Sequence, residues 1–463
     1  MPDHYADGVM HAPNRFDPAT VGDFRVLGRT FDGVTGVVSL RYALGERLTF
    51  TETVTFETPF APERDLDAPG LHRALLHLQV AAGTSYYKAS APPGVIIEDE
   101  NLSDGELEFH RHLYDDGLRE FAVTNGLAVP RRVTIRSGGG PTPDRPTARR
   151  PSGPGGLLVP IGGGKDSMVL IEAVKHLRPR LFAVNPHPLV LDLAHRSGLD
   201  LIVVRRRIDP ELIALNASGA LNGHVPITAI VSLIAVVGSF LYDYDSIAMA
   251  VERSASEETV LVEGVPVNHQ YSKSLDFELL FRDLIATSVD PGLRYGSPLR
   301  PYSELAIART FARLTDYHGT FCSCNSAFRQ TAATGDRWCG HCPKCRFVAL
   351  MLAPFMDRPD LAAILGRDLF DDPGQIVGFA ALMSDDDKPF ECVGERRESA
   401  AALRILSTRP EWSDTPVVAA LAGRARALVD DDDVVSQLTP SAGPAGPDAD
   451  VAAAVRRLMA GPP

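Results

Sequence analysis

Between Phe24 and Phe56, apolar and polar residues alternate through three runs, FRVLGRTFDG, VTGVVSLRYALG and LTFTETVTFE, broken by Asp-Gly and Gly. That period of two predicts an antiparallel β-meander. Helical spacing replaces it over Leu71–Ala82 and about 103–125, and Arg131–Arg136 returns to a strand pattern. Ser137–Gly156 (SGGGPTPDRPTARRPSGPGG) has no apolar period and predicts a flexible linker. Beyond it, strand patterns at 157–161, 181–185, 200–206 and 246–252 alternate with helical patterns at about 168–177, 187–197, 225–241, 272–288 and 302–314. This alternation predicts an α/β fold on a doubly wound parallel sheet. The divisions expected are an N-terminal α+β domain at 1–136 with a loose start over 1–22, the linker 137–156, an α/β domain at 157–357, and a mostly helical part at 358–463. Its acidic, then Ala/Gly/Pro-rich end, 429–463, is expected to fray.

Residues 225–241 (VPITAIVSLIAVVGSFL) carry no charge over seventeen positions. The segment is shorter than the roughly 20 residues needed to cross a bilayer, so it is read as a buried helix. No basic n-region followed by an apolar h-region opens the chain, and a soluble, cytoplasmic protein is expected. The net charge of −13 argues against a nucleic-acid partner, which would demand a basic face.

Chemistry concentrates in a few stretches. LLVPIGGGKDSMVL runs from an apolar strand through Gly162, Gly163 and Gly164 into Lys165, Asp166, Ser167 and a helix. Such a turn presents backbone N–H groups and a helix dipole to a phosphate. It fits neither a Walker loop, which needs Ser or Thr after the Lys, nor a dinucleotide fingerprint, which needs Gly where Ser167 stands. The bland alternative is a plain glycine turn. In doubly wound sheets ligands bind beyond the carboxyl ends of strands, which draws in His224 (LNGHVP), Arg253 (ERSAS), and His269 and Lys273 (VNHQYSKSLDFE).

All six cysteines lie beyond residue 320, five of them within Cys322–Cys345. WCGHCPKC sets Cys339, Cys342 and Cys345 around one tetrahedral ion, with an upstream thiolate, preferably Cys324 over Cys322, as the fourth. A structural Zn2+ is the default occupant, ahead of an iron–sulfur cluster or inert buried thiols. Cys392, in KPFECVGE, stands apart with Lys388, Glu391, Glu395 and Arg396 near it in sequence.

The glycine loop resembles the pyrophosphate loop of the ATP-pyrophosphatase (PP-loop) superfamily, with Gly162 replacing the usual Ser. GTSYYKA, YDDGLREF, GGGKDS, LNGHVP, the NHQYSKS block, CSCN, WCGHCPKC and KPFECVGE together resemble the ATP-dependent UDP-N-acetylmuramoyl-L-alanyl-L-glutamate epimerases of peptidoglycan synthesis. The resemblance spans about 24–403. It implies a PP-loop-type α/β fold and ATP-driven inversion of the terminal L-glutamate of a UDP-muramoyl dipeptide. It also implies that Gly162–Gly164, Lys165, Asp166 and Ser167 hold ATP with Mg2+, and that Arg253, His269 and Lys273 grip anionic groups. Tyr86, Tyr87 and Lys88 would recognise the sugar nucleotide. Cys392 is the first candidate for proton transfer and His269 the second. The rival readings are another PP-loop enzyme, of the 7-cyano-7-deazaguanine synthase or tRNA-modifying kind, and a non-catalytic ATP- and zinc-binding scaffold.

Overall fold

The computed structural model describes residues 16–61, 64–140, 146–149, 155–327, 337–385 and 387–461. The first fifteen residues, and parts of the 137–156 segment, therefore lie outside the described residues. Alternating apolar positions build β1 (Asp23–Asp32), β2 (Val37–Leu44) and β3 (Leu48–Phe56), which pair antiparallel as the expected meander. β4 (Gly94–Glu98) and β5 (Thr134–Gly138) extend it on the β1 side in parallel. On the other side lie β6 (Leu157–Pro160), β7 (Arg180–Val184), β8 (Leu201–Arg207), β9 (Ser246–Ala248) and, after the small hairpin β10 (Val260–Val262) and β11 (Val265–Val267), β12 (Arg294–Gly296). Those five larger-sheet strands are mutually parallel.

The two groups form one sheet of ten strands, ordered β12-β9-β6-β7-β8-β3-β2-β1-β4-β5. The fold is thus α/β on a large, mostly parallel central sheet. It runs through the division expected at 137–156, because β3 pairs antiparallel with β8, Phe56 facing Val204. A bidentate ion pair locks that seam: Arg206 donates to Glu52 through Nε at 2.7 Å and Nη2 at 3.0 Å, and to Ser85 Oγ at 2.9 Å. Both charges are buried, where a forked guanidinium–carboxylate pair is well matched.

Two apolar clusters cover the faces. One gathers the helix Lys165–Val174 with the C-terminal helices, and the other gathers Pro69–Ala82 and the uncharged helix Ile227–Tyr242 with the meander. Among the described residues no helix is long and apolar enough to cross a membrane.

Two expectations are corrected. Residues 146–149 are held, not loose: Arg149 donates to Asp290 at 2.6 Å and its guanidinium stacks 3.7 Å from the Phe240 ring centre. The supposedly frayed end forms helices Asp431–Leu438 and Ala449–Ala460, capped by Asp430 and Asp448. Val451, Val455 and Met459 repeat every four residues and bury their face against the helix Lys165–Val174. Four-residue spacing outweighs the Ala/Gly/Pro content.

Candidate active site

The glycine loop leaves β6 and enters the helix Lys165–Val174 through Gly164, an N-cap with no side-chain partner. The first-turn N–H groups are therefore free of a side-chain cap, as an anion site requires. Gly163 has φ +86°, a backbone state that favours glycine. The Gly162 N–H donates to Ser167 Oγ at 3.3 Å, and the Cys322 N–H donates to the Gly163 carbonyl at 3.2 Å. The segment holding Cys322 and Cys324 thus backs the loop directly.

Lys165 is buried, its ammonium 2.5 Å from Asp166 Oδ1 and paired with Glu304. Asp166, Glu252 and Glu304 offer carboxylate oxygens within 4.8 Å of one another. Hard oxygen donors of this kind suit a divalent cation such as Mg2+.

The sulfurs of Cys324, Cys339, Cys342 and Cys345 also lie within 4.8 Å of one another, with Cys342 to Cys345 at 3.5 Å and Cys339 to Cys345 at 3.8 Å. Four Zn–S bonds of ~2.3 Å would space their sulfurs by about 3.8 Å, so the set suits a closed tetrahedral ion. Cys322 stays outside it. Its thiol donates to the Arg337 carbonyl at 3.0 Å, and burial pushes it up to about 11. His341 is exposed and turned to its own loop, 2.9 Å from the Cys339 carbonyl.

A third cluster forms where the loop before the helix Arg396–Leu406 meets Asn268–Lys273. Lys273 Nζ donates to Cys392 Sγ at 3.4 Å, and His269 lies near enough to act on the same sulfur. Burial pushes the thiol up, but Lys273, His269 and Lys344 outweigh it and bring it down to about 6. Burial likewise favours a neutral His269, yet Cys392 and Glu120 carry that ring up to about 9. Glu120 pairs with His269 Nδ1. His224 stacks against His269, ring centres 4.5 Å apart, and lies 3.8 Å from the same carboxylate. Burial, then the neighbouring His269 charge, push His224 down to about 4. Lys273 also feels the negative charges of Glu252 and of Asp166, which follows the glycine loop.

Sequence reasoning named Cys392, His269 and Lys273 and the structure brings them together; it missed Glu120. The segment YDDGLREF was noticed, but nothing local says which of its carboxylates meets a histidine 149 residues away. Lys388 and Arg396, near Cys392 in sequence, pair with Glu257. Tyr86 and Tyr87 are also corrected: both are fully buried. Tyr86 O accepts from the Asp209 N–H at 3.0 Å and Tyr87 O–H donates to the Pro92 carbonyl at 2.9 Å, so they serve the core and face no sugar nucleotide. Lys88 is half-buried and bonds Asn222 and, at 3.2 Å, the Gly223 carbonyl, beside His224. Arg253 donates to Gln437 Oε1 at 2.5 Å and lies 3.6 Å from Glu395.

Comparison with known proteins gives a consistent answer. No solved structure matches the chain. A relative in Salinispora tropica, named UDP-N-acetyl-alpha-D-muramoyl-L-alanyl-L-glutamate epimerase, is 43% identical over 85% of this chain and 86% of its own. Proteins of the same name in Xanthomonas oryzae pv. oryzae and a Micromonospora species are 40% identical over 87% of this chain and 90% of theirs, and 42% identical over 85% and 88%. Residues 15–298 match the MurL N-terminal domain and residues 320–435 the MurL C-terminal domain, and the chain belongs to the MurL family.

Proposed function

We infer that this chain epimerises the terminal L-glutamate of UDP-N-acetylmuramoyl-L-alanyl-L-glutamate to D-glutamate, as an isomerase of peptidoglycan precursor synthesis. The names of three relatives, each matched over most of its length, support this reading. The observation that carries it within the molecule is Cys392 between Lys273 and His269, joined through Lys273 to the glycine loop.

A Cα–H beside a carboxylate is a very weak acid, because its removal sets a second negative charge next to the first. Adenylation of that carboxylate by ATP removes the first charge and leaves an acyl group able to delocalise the carbanion. The PP-loop reading assigns this step to Gly162–Gly164, Lys165, Asp166 and Ser167, with AMP and pyrophosphate as the by-products. Asp166, Glu252 and Glu304 would hold Mg2+, which neutralises phosphate charge when bound. The four thiols Cys324, Cys339, Cys342 and Cys345 would hold a structural Zn2+ that backs the loop. The inversion at Cα falls to the cluster of Cys392, His269 and Lys273, whose perturbed acidities suit such work. Arg253 and Lys88 stand ready for anionic parts of the substrate. The reaction belongs in the cytoplasm, where free thiols stay reduced.

Incubation with ATP and UDP-muramoyl-L-Ala-L-Glu in D2O should yield AMP, pyrophosphate and D-glutamate carrying solvent deuterium at Cα. ADP and phosphate as products would remove the adenylation step. Unlabelled Cα would remove proton transfer, and ATP cleavage only with an RNA or a nucleobase precursor would restore the rival PP-loop readings.

A further inference from the structure

Two groups that serve opposite faces of one planar carbon each sit about 3–3.5 Å from it, hence roughly 6–7 Å apart. Cys392 and His269 sit closer than that, as neighbours near enough for the ring to favour the thiolate. Their arrangement has another meaning. A thiol beside an imidazole, which is oriented in turn by a carboxylate, is the constellation of nucleophilic acyl transfer. Glu120, His269 and Cys392 form that series, and Lys273 adds a cation 3.4 Å from the sulfur. The same Lys273 feels Asp166 and Glu252 at the glycine loop, where the adenylate would be made.

We propose that Cys392 accepts the activated glutamyl group as a thioester, and that His269 and Lys273 then move the Cα proton. The proposal rests on the adenylation reading above. The Sγ thiolate attacks the acyl carbon; an S–C bond forms, the C–O bond to phosphorus breaks, and AMP leaves with the electron pair. No proton moves in that step. The acyl α carbon is now two bonds from a sulfur that Lys273 holds at 3.4 Å and that His269 neighbours. Acylation also removes the thiolate charge, so each cation loses an anionic partner and gives up a proton more readily. One, its own proton released to water, takes the Cα proton, and the other returns one from the opposite face. Water then adds to the thioester carbonyl and the C–S bond breaks, releasing carboxylate and thiolate; one of the water's two protons recharges the group that returned the Cα proton and the other passes to solvent. Covalent anchoring fixes Cα relative to both groups and divides one difficult step into easier ones.

The test is intact-mass analysis of the full-length protein, acid-quenched from milliseconds onward after mixing with ATP and UDP-muramoyl-L-Ala-L-Glu. The expected adduct is the substrate less one water. It should disappear with neutral hydroxylamine and be absent in Cys392→Ala, which still releases pyrophosphate. That variant should place no deuterium at Cα and epimerise on the order of 10³-fold more slowly or worse. Three results overturn the thioester: an acyl-adenylate consumed by wild type with no adduct at any time, an adduct retained in Cys392→Ala, or solvent deuterium at Cα in Cys392→Ala. Absence of AMP and pyrophosphate from the wild type is a different failure. It removes the adenylation reading, and the thioester with it.

Discussion

The chain keeps five of its six cysteines in one neighbourhood and the sixth in another, and what faces each sulfur differs. Around Cys324, Cys339, Cys342 and Cys345, thiols face thiols. Ionising one there makes the next harder to ionise, and the arrangement becomes favourable only if a cation replaces the protons. Cys392 instead faces Lys273, His269 and Lys344, so the cations that favour its thiolate are built from side chains and no second thiol shares them. On the proposed reading, the first setting spends its thiolates on a structural ion. The second leaves one free to react.

The sharpest break between the two settings should be in folding. Cys339→Ser removes one sulfur from a set of four, and a structural zinc contributes about 10–16 kcal/mol, as much as the about 5–15 kcal/mol that separates most native proteins from unfolding. The variant should lose its metal, measured by elemental analysis, and its cooperative melting transition. Cys392→Ser should keep both. A soluble Cys339→Ser protein that melts like wild type, or a wild type without metal, would erase the distinction.

A smaller effect separates the settings by pH. The groups facing the Cys392 sulfur are Lys273, His269 and Lys344; those facing His269 are Glu120, His224 and the sulfur; those facing Lys273 include Glu252 and Asp166. The Cys392 thiol is brought down from its ordinary value to about 6, so its thiolate is present above that pH and lost below it. His269 is carried up to about 9, so its charge is present below that pH and lost above it. The expected kcat/KM for epimerisation is therefore bell-shaped between about 6 and about 9, reporting the free enzyme. A limb set by Cys392 must vanish or move in Cys392→Ser. An unchanged acid limb would assign it to another group.

These two settings were not equally legible in the sequence. The four-thiol set announces itself because three of its members recur at a fixed short spacing, and the fourth lies in the same 24-residue window, Cys322–Cys345. The glycine loop is local in the same sense, strand, turn and helix following within a few residues. Cys392, His269 and Glu120 share no spacing. Their meeting depends on the loops beyond β9 and on the helix Arg119–Thr124 of the meander half, so only tertiary structure pairs them. Tyr86 and Tyr87 mislead for a related reason. A phenol suits a sugar ligand or a buried backbone partner equally well, and here Pro92 and Asp209 claim both. The closing helix Ala449–Ala460 shows the opposite error, composition obscuring a plain four-residue period.

The smallest expected effect isolates what Glu120 does for the second setting. Glu120→Gln keeps the shape and leaves a carbonyl oxygen to accept from His269 Nδ1–H, so the ring should stay oriented. What it removes is charge. His269 holds its proton against burial with two anionic neighbours, Cys392 and Glu120, and the variant leaves it only the first. The basic limb of the pH profile should therefore slide down from about 9 toward the ordinary histidine value. At pH 6 the variant should work near the wild-type rate, and at pH 8 about tenfold more slowly, since each unit of pKa is a factor of ten in protonated fraction. Glu120→Ala loses the acceptor as well and should fall further at every pH, because the ring is then free to turn. A uniform loss in Glu120→Gln at all pH values would mean that Glu120 only packs the helix Arg119–Thr124 against Asn268–Lys273. An unmoved profile would mean that the Cys392 thiolate alone keeps His269 charged, and the series from carboxylate to sulfur would shrink to a pair.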